Sequence, residues 1–119
     1  MAEPEHGTFD LAEFSDELNG APSYTIGTKM LLENDWVRIW EIRLGPGERA
    51  PFHHHAHTYL FVCVDPGRAR SRFVNGTYID LDYEEGTVWF SDYTEQQPEI
   101  HDLENVGSTT IRFTTVELL

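Results

Sequence analysis

The sequence lacks most of the features that mark secreted or membrane-spanning proteins. It contains one cysteine, Cys63, so no disulfide can form within the chain. No apolar run approaches the ~18 residues expected of a membrane span, and the acidic N-terminus lacks the apolar core of a secretory signal. We therefore expect a cytoplasmic protein with no membrane segment.

Basic residues are also scarce. The chain has 8 lysines and arginines against 21 aspartates and glutamates, which gives a formal net charge of −13. A surface of this charge repels both the phosphate backbone of nucleic acids and anionic membranes. We therefore expect neither nucleic acid nor a membrane surface among the partners of this protein.

The sequence predicts a helix in only one short segment, near the N-terminus. Residues 1–23 form an acidic arm in which Asp10 and Glu13 fit a capping box ahead of an apolar stripe. Residues 1–7 have the composition of a disordered segment, so His6 is expected on a mobile surface.

Residues 24–119 have the pattern of a single all-β domain. Short runs of strand-forming residues alternate with turns rich in glycine, asparagine and proline. Asn75-Gly76 lies between two such runs and is the strongest hairpin signal in the chain. The 119 residues suffice for one hydrophobic core but not for two, so we expect a single barrel or sandwich.

Histidine is the residue that stands out, because four of the six histidines lie in one short stretch. Alternate side chains of a strand point to the same face. His53, His55 and His57 would therefore share a face with Tyr59, whereas His54 would point away. Two imidazoles on Cα atoms about 6.6 Å apart can converge on one metal ion.

One strand cannot complete the coordination sphere of a metal ion. A third ligand would come from His6 or His101, the two remaining histidines. The spacing does not decide which two histidines of the strand would bind the ion. His55 and His57 are two residues apart, as are His53 and His55. The alternative to a metal site is a polar histidine cluster without a metal.

Arg70 and Arg72 alternate on the strand that precedes the predicted hairpin turn. A two-residue turn would place them opposite Leu81 and Ile79. If this face lines the barrel, the two guanidinium groups would bind a substrate carboxylate. The alternative is that both arginines face outward and form ion pairs with surface acids.

Two segments resemble the two motifs of the cupins, which are small double-stranded β-helix (jelly-roll) barrels. The first motif is a glycine, five residues and then His-x-His, and Gly47, His53 and His55 match it. The second ends in a proline-containing stretch, a histidine, three residues and an asparagine, and His101 and Asn105 match it. The resemblance implies an all-β cupin barrel with a short N-terminal helix.

The resemblance covers roughly residues 28–118 and implies that His53, His55 and His101 bind one divalent metal ion inside the barrel. Tyr59 stands where cupins have a glutamate ligand. Three neutral imidazoles would leave the 2+ charge intact, so the site should favour a small polar or anionic molecule. Such a set resembles the site of cupins that act as dioxygenases on iron, and zinc, nickel or manganese are the alternatives.

A closer resemblance is to cupins associated with β-alanine degradation. The shared segments are residues 37–44 and 46–49, the His53-x-His55 pair with Tyr59, and residues 67–72 and 101–105. This resemblance implies a pathway association but no particular reaction.

The functional expectation is therefore a metal-dependent, dioxygenase-like enzyme. One alternative is a small-ligand-binding cupin without turnover. Another is a cupin isomerase or lyase on a non-redox metal, with Tyr59 or His57 as the proton carrier. Exposed sheet edges and the apolar N-terminal stripe further suggest a homodimer.

Overall fold

Strands dominate the structure, a computed structural model that describes residues 3–119. Over these residues the chain forms two antiparallel sheets of five strands each, so the all-β prediction is confirmed. In spatial order, sheet 1 contains β1 (Glu5–Thr8), β7 (Thr77–Tyr83), β6 (Gly67–Arg72), β9 (Glu99–Asn105) and β4 (Arg49–His55). Sheet 2 contains β2 (Lys29–Glu33), β3 (Val37–Leu44), β10 (Ile111–Leu118), β5 (Thr58–Asp65) and β8 (Val88–Ser91).

The core lies between the two sheets and follows from alternation along the strands. In β10, for example, Ile111, Phe113 and Thr115 are buried, whereas Arg112 and Thr114 between them are partly exposed. The core cluster draws on both sheets: Ile42, Leu44, Ala50, Cys63, Ala69, Tyr83, Leu103, Ile111 and Phe113. Cys63 is thus a buried core residue, with its thiol 3.3 Å from the carbonyl oxygen of Asp65.

The N-terminal segment differs from the disorder predicted for residues 1–7. Glu5–Thr8 forms β1, which pairs with β7 so that His6 lies opposite Ile79. Residues 1 and 2 lie outside the described part of the chain. The acidic composition was misleading here, because an edge strand is held by backbone hydrogen bonds and does not require apolar side chains.

The helical segment lies where the sequence predicts it. It consists of a 3₁₀ turn, Leu11–Phe14, and helix α1, Ser15–Leu18. Its aromatic residue Phe14 packs edge-on against Phe52 of β4, with ring centroids 5.5 Å apart. The apolar stripe therefore packs on the barrel of its own chain. Neither helical segment is long and apolar enough to cross a membrane, and the described residues form no other helix.

The β6–β7 hairpin has one more loop residue than the predicted two-residue turn. The amide of Phe73 donates to the carbonyl oxygen of Thr77 at 2.9 Å, which leaves residues 74–76 in the loop. Gly76 closes this loop with a φ of +86°, a conformation that glycine adopts without strain. The longer loop shifts the pairing by one residue relative to the prediction.

Of the two orientations that the sequence leaves open for Arg70 and Arg72, the structure has the outward one, so neither lines the barrel as a substrate-binding residue would. With the shifted register, Arg70 lies opposite Asp80 and donates two hydrogen bonds to its carboxylate, at 2.8 and 3.0 Å. Arg72 binds Asp102 at 2.9 Å and Glu104 at 2.7 Å. Both arginines thus form ion pairs outside the barrel, and neither borders the cavity described below.

The chain crosses from sheet 1 to sheet 2 immediately after His55. Here β4 ends, and β5 begins at Thr58. The prediction of one straight strand through residues 53–59 is therefore wrong, and His57 does not share the face of His53 and His55. Its Nε2 lies 3.4 Å from Nη2 of Arg38, on a different part of the surface.

A buried carboxylate links three strands of sheet 1 on the face opposite the histidines. Asp102 of β9 is fully buried and accepts hydrogen bonds from Nε of Arg49 in β4, at 2.7 Å, and from Arg72 in β6. The backbone amide of Arg72 also donates to it, at 2.7 Å. Glu17 of α1 binds the other side of Arg49, so the same cluster attaches the helix.

We predict that Asp102→Ala lowers the free energy of unfolding by about 3–5 kcal/mol, because it leaves two partly buried guanidinium groups without their shared carboxylate. Urea denaturation measures this change. Glu33→Ala is the control, because this carboxylate is 59% exposed in its pair with Arg38 and should contribute less than about 1 kcal/mol. Equal stability of the two variants would contradict the prediction.

Candidate metal centre

The pairing of β4 with β9 brings the two histidine motifs together. His53 lies opposite His101, and His55 lies opposite Glu99. Because alternate residues of a strand share a face, these four side chains lie on the same side of sheet 1. His53, His55 and His101 all line the barrel interior.

A β-bulge between Ala50 and His53 gives the histidines this orientation. The register with β9 shifts by one residue between these two positions. Ala50 belongs to the core and His53 also points inward, although an odd number of steps along a regular strand would place them on opposite faces. The bulge contains Pro51, which cannot donate a backbone hydrogen bond to the ladder.

The three imidazoles converge through their Nε2 atoms. Nε2 of His55 lies 3.1 Å from Nε2 of His53 and 2.9 Å from Nε2 of His101. With metal–nitrogen bonds of about 2.0–2.1 Å, adjacent ligands of a tetrahedral or octahedral ion lie roughly 2.9–3.4 Å apart. The spacing of the three nitrogens therefore matches that of ligands around one ion.

The tautomer of His53 suits a metal ligand. Its Nδ1 lies 2.8 Å from the carbonyl oxygen of Pro51, which can only accept a hydrogen bond. Nδ1 therefore carries the proton, and in the neutral ring Nε2 presents its lone pair to the other two histidines. A backbone carbonyl in this position is the usual way to orient a metal-ligating imidazole.

Burial keeps all three imidazoles neutral. It lowers the pKa of His53 to about 3, with a further contribution from the neighbouring His101. It lowers the pKa of His101 to about 4 and that of His55 further still. Neutral imidazole is the form that binds a metal ion.

The residues present therefore fit a divalent metal ion held by His53, His55 and His101. Among the described residues, these three form the one compact group with the ligand atoms for such a site, all within 4.8 Å of one another. Nδ1 of His55 and of His101 is buried without a protein hydrogen-bond partner, so both rings can adopt the tautomer with a free Nε2. The rival pair, His55 with His57, is excluded by the position of His57.

Tyr59 lies beside the histidines, although it comes from sheet 2. Its ring stacks on His55 with centroids 4.0 Å apart and planes inclined by 16°. Its hydroxyl donates to Glu99 at 3.4 Å, and the hydroxyl of Tyr93 donates to the other carboxylate oxygen. Burial raises the pKa of Tyr59, so its phenol stays protonated and acts as a donor.

A cavity of about 370 Å³ leads from the surface towards His101. Its wall is mainly aromatic and apolar, and it includes Phe61, Phe73, Tyr78, Leu81, Tyr83 and Trp89. Its size falls within the usual range for small-molecule sites. No arginine or lysine of residues 3–119 lines the cavity or its deep end at the histidines.

Several residues of this site were not predicted from the sequence. His6, expected on a mobile surface, lines the cavity because β1 forms part of the barrel wall. Glu99 and Tyr93 were also missed. A signal for Glu99 was present, since in a strand Glu99 and His101 must share a face. No comparable signal existed for Tyr93, because it lies in a loop.

Comparison with solved structures identifies the architecture. A cupin domain from Bordetella pertussis Tohama I superposes with a TM-score of 0.68 at 20% sequence identity, over 84% of this chain and 98% of that one. The chain has the cupin fold. An RmlC-like cupin with a double-stranded β-helix fold from Methanocaldococcus jannaschii gives a TM-score of 0.60 at 19% identity, over 76% of each chain.

A third structure supports the same fold for this chain. It is an uncharacterised protein with a double-stranded β-helix domain from Klebsiella pneumoniae, with a TM-score of 0.60 and 20% identity over 92% of this chain and 82% of that one. No family model and no curated protein sequence matches the chain. At these identities the comparisons establish the fold, and the association with β-alanine degradation stays a prediction.

We predict that the metal-free protein loses stability as the pH falls from about 6.5 towards 4. In this range the unfolded chain takes up a proton on His53 and His101, whereas the folded protein, in which their pKa values are about 3 and 4, does not. Each such histidine contributes about 1.4 kcal/mol per pH unit.

Urea denaturation of chelator-treated protein at several pH values tests this prediction. His101→Phe serves as the comparison, because the new ring can still stack on Phe73. It should reduce the dependence of stability on pH by about one histidine's contribution. The same dependence of stability on pH in both proteins would show that His101 does not titrate as predicted.

Proposed function

We propose that this cupin binds one divalent metal ion through His53, His55 and His101 and acts as a metal-dependent enzyme on a small molecule. The observation that carries the proposal is the convergence of three buried, neutral imidazole nitrogens, 2.9 and 3.1 Å apart, at the deep end of an open cavity. Such a constellation matches a catalytic site better than a structural one, because catalytic zinc sites typically have three protein ligands and keep a position for water or substrate, whereas structural sites have four protein ligands.

The side chains around the histidines would orient a ligand and exclude water from it. The aromatic wall offers apolar surface, and the Tyr59 and Tyr93 hydroxyls donate to the Glu99 carboxylate beside the histidine cluster. When bound, a divalent ion would supply Lewis-acid chemistry towards a substrate oxygen and, in the case of iron, one-electron redox chemistry. Tyr59, whose proton is donated to Glu99, is our candidate for accepting a hydrogen bond from a bound ligand through its phenol oxygen.

We keep iron and a dioxygenase-like reaction as the first proposal. Neutral imidazole also suits zinc and nickel, and manganese binds mixed nitrogen and oxygen sites, so an isomerase or lyase is the alternative enzyme. A ligand-binding cupin without turnover is the non-enzymatic alternative. Oxygen uptake by iron-loaded protein distinguishes the dioxygenase-like reaction from both alternatives.

The preference for an anionic substrate has less support than the metal site. Arg70 and Arg72 were the candidates for binding a substrate carboxylate, but they form ion pairs outside the barrel. Attraction of an anion would then depend on the charge of the metal ion alone. The aromatic wall instead favours a substrate with an apolar body and one polar end that reaches the histidines.

We predict about one equivalent of a transition metal in protein purified without chelator. His55→Ala should lose it, because this imidazole lies between the other two ligands. His57→Ala is a matched control from the same histidine run and should retain the metal, because His57 lies outside the site. Elemental analysis measures both.

Loss of metal from both variants would argue for a nonspecific histidine cluster. Absence of metal from the wild type, even after reconstitution with iron, zinc, nickel and manganese in turn, would refute the proposal. Metal retained by His55→Ala at full stoichiometry would also refute it.

We further propose a homodimer in which two copies meet along β2. All five residues of this edge strand are exposed, and Met30, Leu31 and Leu32 form a consecutive apolar run on it. The neighbouring Trp36 is 74% exposed. An uncovered apolar edge of this kind promotes association between chains.

The cytoplasmic location expected from the sequence stays a prediction.

We predict that the wild-type protein sediments as a dimer and that Leu31→Glu weakens association at least about tenfold, because it buries a charge at the shared edge. Phe90→Glu is the control on the opposite edge of sheet 2, where Phe90 is 64% exposed. Sedimentation equilibrium measures the dissociation constants. A monomeric wild type, or a dimer weakened only by Phe90→Glu, would contradict this interface.

A further inference from the structure

We infer that Glu99 supplies the carboxylate ligand that the first motif of this cupin lacks. The metal ion would then be held by three imidazoles and one carboxylate, with the carboxylate contributed by β9. This inference rests on the proposed metal site and adds a fourth residue to it. Tyr59 occupies the usual glutamate position. It would not bind the ion itself but would hold Glu99 in place by donating a hydrogen bond to its carboxylate.

The strand register places Glu99 among the three histidines. It lies opposite His55 on the neighbouring strand and two residues before His101 on its own strand. The four side chains thus occupy the corners of a rectangle on one face of two paired strands, with Glu99 diagonal to His53. Neighbouring side chains on such a face lie within reach of one another.

The Glu99 carboxylate lies within ligand-to-ligand distance of one of the histidines. Oε1 of Glu99 lies 3.4 Å from Nε2 of His101, at the upper end of the roughly 2.9–3.4 Å that separates adjacent ligands of one ion. The compact group of ligand atoms within 4.8 Å consists of the histidines alone, so Glu99 borders this group rather than filling its centre. Glu99 and His101 both line the open cavity.

Two phenols orient the carboxylate. The Tyr93 hydroxyl donates to Oε2, and the Tyr59 hydroxyl donates to Oε1 at 3.4 Å. The hydrogen bond to Glu99 raises the pKa of Tyr93 to about 12, so this phenol remains a donor. Oε2 is thus occupied by a short hydrogen bond, whereas Oε1 faces His101. Hydrogen bonds of this kind commonly orient metal-ligating carboxylates.

Glu99 has no arginine or lysine partner among the described residues. Its side chain is 18% exposed, and its one ion-pair contact within residues 3–119 is with the imidazole of His101. A partly buried carboxylate without a countercharge is unfavourable, and a metal ion at the histidines would provide that countercharge.

Cobalt(II) titration of the metal-free protein tests the inference, with the visible absorption spectrum as a direct readout of the ligand set. Glu99→Gln should bind cobalt at least about tenfold more weakly than the wild type, with shifted absorption bands. Glu95→Gln removes the same charge from the exposed loop nearby and should change neither quantity. Tyr93→Phe should weaken binding less than Glu99→Gln, because it only releases the carboxylate.

Glu99→Asp keeps the charge but shortens the side chain, so it should also shift the absorption bands even if Glu99→Gln fails to fold. Wild-type affinity and spectrum in either folded Glu99 variant, with cobalt lost from His101→Ala, would overturn the inference and leave the proposed three-histidine site intact. No cobalt binding by the wild type would overturn both.

Discussion

The register between β4 and β9 is the constraint on which the candidate site depends. Both strands carry ligand residues at alternate positions, so a slip of one residue in either would turn its histidines out of the barrel. The bulge after Ala50 is part of this constraint, because it places His53 and His55 on the same face of sheet 1 as His101 and Glu99. A regular β4 in register at Ala50 would direct the same histidines towards helix α1.

Polar contacts at two places maintain this register. On the outer face, Asp102 binds Arg49 and so ties β9 to β4 directly beside the ligands. At the end of the pair, the amide of Gly47 donates to the carbonyl oxygen of Asn105, and the amide of Asn105 donates to that of Glu48. The buried amide group of Asn105 also donates to the carbonyl oxygens of Leu44 and of Thr109, at 2.8 Å each. The glycine that begins the first motif and the asparagine that ends the second thus close the same corner of the barrel.

The sequence predicted what depends on spacing within a single strand or on a motif. The all-β fold, the helical turn at Asp10 and the set of His53, His55 and His101 all belong to this class. The errors arose where a single residue changes the strand register or the direction of the chain. An extra loop residue after Phe73 altered the partners of the arginines, and a corner after His55 separated His57 from the ligands. Such steps are set by tertiary packing, which a local pattern does not encode.

The position of β1 at the cavity bears on how the proposed site would select a ligand. His6 borders the cavity from β1, an edge strand attached to the rest of the molecule mainly by its pairing with β7. Two strands, β7 and β6, separate β1 from β9, the nearest strand that carries a candidate ligand. Gly7 lets this strand lie close to the ring of Tyr78. The wall at this point can therefore change in sequence or length without disturbing the paired strands that hold the ligands. In the proposed site, His6 and the candidate metal ligands therefore lie on separate strands, so the cavity wall at His6 can vary in evolution independently of the ligand strands.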